Sequence, residues 1–330
     1  AAILMNVNNG EILSMVSLPD FNLNKRETIK DVNYINKITK GTYELGSVFK
    51  TFTIASGINE GLIEPDTEFL DSKKSINCGK KHIIKEYDNK MPSDLTVEQI
   101  LIKSGNIGSV RIVRKIGIEK HKSFLQTIGI LDKIDFDISE IGKPQSIDWY
   151  EGCKLETIAF GHGITTTILQ LAKGYSIITN GGYDIKPTIV KKNLNKKDKK
   201  VKVLKNDVSK KMNSMLRKVV TEGTAKLVDV RGYQVGGKTG TAEQVNNSIY
   251  INTKINTLAS VFPTDNPKYV LVLMLESTKN NKDYVYEYRD GSGFKLKGSP
   301  RNTAGWTSVE AAGKIIDKIG PILATKYIEN

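Results

Sequence analysis

The sequence predicts a mixed α and β fold: a central, mainly antiparallel five-stranded sheet flanked by helices, joined to an α-rich lobe. Three observations predict it. Two short apolar runs at residues 3–7 and 12–18 flank Asn9-Gly10, a dipeptide that tolerates the positive φ angles a tight hairpin turn demands. Strand-like runs return near the other end, at residues 234–243, 258–262 and 269–275, the last almost wholly apolar and so expected at the sheet centre. Between these groups the apolar residues mostly recur with a helical period. Two opening strands therefore pair with three closing strands, and a helical insertion lies between them.

Taken in order, residues 21–42 are polar and irregular. After Tyr43-Glu44-Leu45-Gly46-Ser47-Val48-Phe49-Lys50 comes a helical run in which Phe49, Phe52, Ala55 and Ile58 share one buried face. Residues 59–90, rich in charge, Gly and Asn, read as an exposed excursion. Thr96-Val97-Glu98-Gln99 fits a capping box and should start a helix through Ile100, Leu101 and Lys103, stopping at Ser104-Gly105-Asn106. Ile107, Val110 and Val113 mark a second helix; Phe124, Leu125 and Ile128 mark a third. Phe160-Gly161-His162-Gly163 is a tight loop before a helix at 165–179 with Leu169, Ala172 and Tyr175 inward, ended by Asn180-Gly181-Gly182. Residues 191–205 read as a lysine-dense connector, a solvated loop or hairpin rather than a binding tail. Ser209 is positioned to cap a helix carrying Met212, Met215, Leu216 and Val219, and a final helix spans about 308–319. The expected organisation is one domain over 1–330: residues 1–60 and about 160–330 build the sheet-containing lobe, and about 61–159 the mostly helical lobe.

The net charge is +13, with lysines spread along the whole chain. A basic surface for a polyanion competes with simple codon bias; the even spread favours the second. Without a recognition helix, a zinc-finger spacing or an aromatic-interleaved basic strand, nucleic acid is not an expected partner. The three histidines, His82, His121 and His162, are too scattered for a metal site, and no cofactor is expected. No stretch is long and apolar enough to span a membrane. The first residues already read as a strand, so the chain is expected to start inside a fold, with any anchor upstream of Ala1. Cys78, in the excursion, and Cys153, in a distant loop, are expected to be free thiols rather than a redox or metal pair.

Chemistry points to Ser47 and Lys50. Three residues apart on a first helical turn, a hydroxyl and an amine can meet, and a serine beside a base is a nucleophile arrangement. The competing reading of Ser47 is a plain N-cap. Ser292-Gly293-Phe294-Lys295 has the same S-x-x-K spacing without a helical run behind it, so spacing alone decides nothing. No histidine or Gly-x-Ser-x-Gly elbow accompanies Ser47, which argues against a Ser–His–Asp triad. A lysine base needs a depressed pKa, through burial or a second cation, and Lys238 is a candidate for that cation. On their strand, Lys238, Thr239, Gly240 and Thr241 offer a charge, two hydroxyls and backbone N–H groups; Gly240 leaves room for a substrate backbone. Ser104 and Asn106 offer a hydroxyl for a proton relay and an amide for a substrate carbonyl. Ser75-Ile76-Asn77 and Lys103-Ser104-Gly105 imitate the second and third motifs, so order and context carry the weight.

S-x-x-K at a helix start, S-x-N between two helices and K-T-G on a late strand form the signature of serine β-lactamases and penicillin-binding proteins. Over essentially its whole length the chain resembles the transpeptidase domain of class B penicillin-binding proteins, most of all the division-specific (septal) peptidoglycan transpeptidases. The opening hairpin through Pro19, the stretch 43–47, the glycine loop at 160–163 followed by Leu169-Gln170-Leu171-Ala172, and the closing Ala304-Gly305-Trp306 and Ile319-Gly320-Pro321 all resemble that family.

The resemblance implies a β-lactamase/transpeptidase-like fold and a serine-type D-Ala-D-Ala transpeptidase. It implies that Ser47 attacks and Lys50 takes its proton, and that Ser47 and Thr241 N–H groups form the oxyanion hole. It further implies that Ser104 relays a proton, that Asn106 binds a peptide carbonyl, and that Lys238, Thr239 and Thr241 hold the terminal carboxylate. The implied partners are peptidoglycan stem peptides as donor and acceptor, β-lactam antibiotics, other divisome proteins, and the inner membrane through an upstream anchor, with this domain in the periplasm. Two departures stand out: Leu45 where proline is usual and Gly105 where the family has Asp. Elongation-type transpeptidases are the nearest alternative. A β-lactamase lacks support because no glutamate precedes a Leu-Asn pair after the second motif; a β-lactam sensor domain is a non-enzymatic alternative.

Overall fold

The computed structural model describes residues 1–25, 27, 34–79, 82–192, 200–246, 249–279, 281–298 and 301–328. The opening hairpin forms as expected: β1 (Ala2–Asn6) pairs antiparallel with β2 (Ile12–Val16), from Ala2↔Val16 to Met5↔Ile12. Part of the irregular segment at 21–42 and the middle of the lysine-dense connector, residues 193–199, lie outside the described residues.

The helix expected at Ser47 begins later. Residues Gly46–Phe49 form a 3-10 turn, and α1 (Lys50–Asn59) follows. Its burial is not one-sided: every residue from Lys50 to Ile58 is buried. Short polar side chains make that tolerable. The Thr51 hydroxyl pairs with the Tyr175 hydroxyl at 2.8 Å, and Thr53 donates to the Ala159 carbonyl at 2.9 Å.

The excursion after α1 is more ordered than its composition suggests. β3 (Glu68–Phe69) pairs with β6 (Leu95–Thr96), and between them β4 (Ser75–Cys78) and β5 (His82–Lys85) form a hairpin. Cys78 is buried there and bonded to Cys153, with Cα atoms 5.6 Å apart. This corrects the expectation of two free thiols. Sequence distance hid the pairing: Ile84, Ile107, Val110 and Phe160 form a small apolar cluster that draws both cysteines together.

The helical insertion follows the sequence closely. α2 (Val97–Lys103) starts at a complete capping box on Thr96, and α3 (Asn106–Ile116) and α4 (Ile118–Thr127) succeed it. After the short α5 (Lys154–Ile158), α6 (Ile168–Thr179) starts at a second capping box on Thr167, with Leu169, Ala172 and Tyr175 fully buried. α7 (Asn206–Thr221) begins before Ser209, so Ser209 is not its cap; its hydroxyl instead accepts from the Gly181 N–H at 2.9 Å.

β7 (Gly236–Asn246), β8 (Ile249–Phe262) and β9 (Tyr269–Glu276) complete the sheet. A small ribbon of β10 (Val285–Glu287) with β11 (Lys295–Lys297) precedes α8 (Ser308–Ile328), which runs on past Pro321. The main sheet has the order β2-β1-β9-β8-β7 with every neighbouring pair antiparallel. The apolar β9 is the central strand, and β7 forms one edge. α6, α7 and α8 pack on this sheet, and α1 and α2 pack against α7.

Candidate active site

Three segments converge on Ser47. The 3-10 turn that carries it is backed by the glycine loop on one side and the edge strand β7 on the other. Gly46 N–H donates to the Gly161 carbonyl at 3.2 Å, and a Cβ placed on Gly161 would lie 2.1 Å from the Gly46 carbonyl oxygen. A Cβ on Gly240 would lie 2.1 Å from the Leu45 carbonyl oxygen. Gly240 therefore has a packing role the sequence did not suggest: it lets β7 close against the turn bearing Ser47, a contact any side chain would prevent. Ser47 is half-buried and occupies neither cap position, Leu45 preceding the 3-10 turn and Phe49 preceding α1, so the plain N-cap reading fails.

Lys50, at the start of α1, is wholly buried, and so is Lys238 on β7. Both amines reach the α2–α3 turn. Lys50 Nζ donates to the Ser104 carbonyl at 2.5 Å, to Ser104 Oγ at 3.2 Å and to Asn106 Oδ1 at 2.7 Å. Lys238 Nζ donates to the same Ser104 Oγ at 2.9 Å and to its neighbour's carbonyl, Thr239 O, at 3.1 Å. Ser104 can present its carbonyl and hydroxyl together because it caps α2 in the left-handed conformation, φ 60° and ψ 43°. A non-glycine residue there costs about 1–2 kcal/mol, a strain the surrounding bonds must offset.

Burial, resisted by the Glu86 carboxylate, brings the Lys50 pKa down to about 7. Burial and then the Lys50 charge hold Lys238 well below the ordinary lysine value. Two dry amines sharing one hydroxyl cannot both stay charged, so a neutral, basic amine is available near neutral pH. A buried lysine of this kind next to a serine can run acyl transfer through a covalent ester.

The family model for the penicillin binding protein transpeptidase domain matches residues 1–290. The chain belongs to that family. This transpeptidase domain is 29% identical to the probable peptidoglycan D,D-transpeptidase FtsI of Caulobacter vibrioides, over 98% of its own length and 54% of that protein's. It is 32% identical to the peptidoglycan D,D-transpeptidase FtsI of Buchnera aphidicola, over 86% of its length and 50% of that protein's. The chain thus spans about half the length of these curated relatives. The apo TP domain of Burkholderia pseudomallei penicillin-binding protein 3 has the same fold, with a TM-score of 0.79 over 98% of this chain and 88% of that one, at 21% identity.

Within the transpeptidase domain, Lys50, Ser104, Asn106 and Lys238 share one network of hydrogen bonds, and Ser47 lies on the turn that leads into α1. The β7 hydroxyls are already engaged. Thr239 Oγ1 pairs with Thr224 Oγ1 at 2.7 Å. Thr241 Oγ1 donates to Asn256 Oδ1 and accepts from the Ala304 N–H, both at 3.0 Å. Its single proton is therefore committed, and an anion on β7 would have to win it from Asn256. Ser292 lies in an exposed loop where its Oγ accepts from Phe294 N–H, with no helix behind it.

Sequence reasoning missed Thr224, Asn256 and Glu86. Each acts across a long sequence gap, and none belongs to a motif. The one available signal for Glu86 was an acidic residue between an apolar strand run and the S-x-N turn.

Proposed function

We propose that this domain is a serine-type peptidoglycan D,D-transpeptidase that cross-links stem peptides through an acyl-enzyme, acting in septal wall synthesis. The observation that carries the reading is the pair of buried amines, Lys50 and Lys238, meeting on Ser104 beside the turn of Ser47. The names of the FtsI relatives support the choice of substrate. In this reading Ser47 Oγ attacks the carbonyl between two D-alanines while its proton passes to Lys50. Backbone N–H groups of Ser47 and Thr241 receive the oxyanion. The C–N bond breaks, and D-alanine leaves with a proton returned through Ser104. An amine of a neighbouring stem then attacks the ester carbonyl, forms the cross-link and releases Ser47. Asn106 holds the peptide carbonyl; Lys238, Thr239 and Thr241 hold the terminal carboxylate, with Gly240 setting the strand against the nucleophile turn. A β-lactam mimics the donor and leaves a slowly hydrolysed adduct on Ser47.

The same reading gives the longer protein a periplasmic catalytic domain, an inner-membrane anchor and divisome partners. Among the described residues no helix is long and apolar enough to cross a membrane. The test is intact-protein mass spectrometry after incubation with benzylpenicillin. The parent and Ser292→Ala should each gain one adduct, mapped to Ser47, and Ser47→Ala should gain none. An adduct on any other serine, or none on the parent, overturns the reading.

A further inference from the structure

The hairpin of β4 and β5 ends at the S-x-N turn, where Lys85 and the following Glu86 hold Asn106 and Ile107 by three hydrogen bonds. Glu86 Oε2 accepts from the Asn106 N–H at 2.7 Å, and Glu86 Oε1 accepts from the Ile107 N–H at 2.9 Å. The Lys85 carbonyl accepts from Asn106 Nδ2 at 2.9 Å, which turns the amide so that Oδ1 faces Lys50 Nζ at 2.7 Å. Gly105, at the cap position of α3, has no side chain with which to satisfy these N–H groups, so a carboxylate from another element does it. An anion at a helix N-terminus is favourably placed in the helix field. A Cβ on Gly105 would sit 3.6 Å from Glu86 Oε1, so an Asp there would set two carboxylates side by side. Gly105 and Glu86 therefore fit one another. The hairpin is held by the Cys78–Cys153 bond and by Ile84, buried against Ile107 and Val110.

We propose that Glu86 is a positioning residue for acyl transfer: its carboxylate clamps the first two N–H groups of α3, fixes Asn106 against Lys50, and puts a negative charge beside that amine. The inference rests on Ser47 and Lys50 acting as nucleophile and base. Glu86 is the second influence on the Lys50 pKa, raising it against burial. The other titratable groups facing Lys50 are Lys238 from β7 and His162 from the glycine loop, the latter flanked by Glu44 and Glu243. Glu86 has Tyr87 and Asp88 on its own segment and Lys73 and Lys74 across a small cleft, while Arg301 lies 3.7 Å from Asp88. Of these groups, Glu86 bonds Asn106, whereas Lys238 shares Ser104 Oγ with Lys50.

The experiment is the second-order rate of acylation by benzylpenicillin, followed from about pH 5 to about pH 9, for the parent, Glu86→Gln and Glu86→Asp, each checked for folding by thermal unfolding. The parent rate should rise through an acid limb near the Lys50 pKa of about 7. Removing a nearby carboxylate disfavours the protonated amine, so Glu86→Gln should shift that limb to lower pH by roughly half a unit or more. Its plateau should fall about tenfold, because one N–H group of α3 then faces an amide NH2. Glu86→Asp keeps the charge with a shorter reach: its limb should stay at the parent position and its plateau should fall in between. An unmoved limb in folded Glu86→Gln overturns the inference, whatever its plateau, since a mere helix cap would give that. If Glu86→Gln does not fold, a Glu86→Asp plateau within about twofold of the parent overturns it instead, and a larger loss at an unmoved limb supports it. A parent that is not labelled at Ser47 overturns the proposed function first and this inference with it; normal parent labelling separates the two.

Discussion

Replacing both Cys78 and Cys153 by Ala should lower the thermal midpoint by several degrees without unfolding the domain. The bond closes a loop with a sequence separation of 75. The chain-entropy relation for a loop of that length gives about 4.5 kcal/mol at 25 °C, and native disulfides typically contribute about 2–4 kcal/mol. For a chain of 330 residues, an unfolding entropy near 2.1 cal/mol/K per residue sums to about 0.7 kcal/mol/K, so the loss corresponds to roughly 3–6 °C. The assay is a thermal scan of the oxidised parent and the double variant, each with and without reductant. Reductant should move the parent midpoint down to that of the variant and leave the variant where it is. Two outcomes would refute the reasoning: midpoints that agree within about 1 °C under all conditions, or titration of two thiols in the denatured, unreduced parent. The apolar cluster around the bond would then be holding the hairpin by itself.

Lys238→Ala should slow benzylpenicillin acylation by about 10- to 150-fold, the loss of one charge-assisted contact worth roughly 1.5–3 kcal/mol. Lys238→Arg should rescue only part of that, because a planar guanidinium cannot fit the same buried point between Ser104 and Thr239. A Lys238→Ala rate within about twofold of the parent would remove Lys238 from the site. Stability should rise between about pH 7 and pH 10, because the unfolded chain binds a proton on Lys50 that the folded chain has already lost. Lys238 acts in the same direction, and Tyr175, whose burial pushes its pKa upward, opposes the rise at the alkaline end. Urea midpoints across that window should climb in the parent and climb less in Lys50→Met; a flat parent profile would contradict the burial of both amines.

The legible parts of this protein were those written in local chemistry. The Asn9-Gly10 turn, the Thr96 capping box, the apolar run of β9 and the periodicity of α3 and α4 all depend on residues a few positions apart, where backbone preference and side-chain spacing act directly. The three motifs were legible for the same reason: each is a short string on one turn or strand. Tertiary structure decided what those strings do to one another. Burial of α1 on all sides makes Lys50 a poor cation, and no helical period announces that a helix will be wrapped completely. The approach of β7 to the Ser47 turn assigns Gly240 to packing. The pairing of Cys78 with Cys153 and the reach of Glu86 to α3 depend on two distant segments sharing one apolar cluster. Such contacts arise from the collapse of the whole core, which brings groups together by surface and volume rather than by their order along the chain.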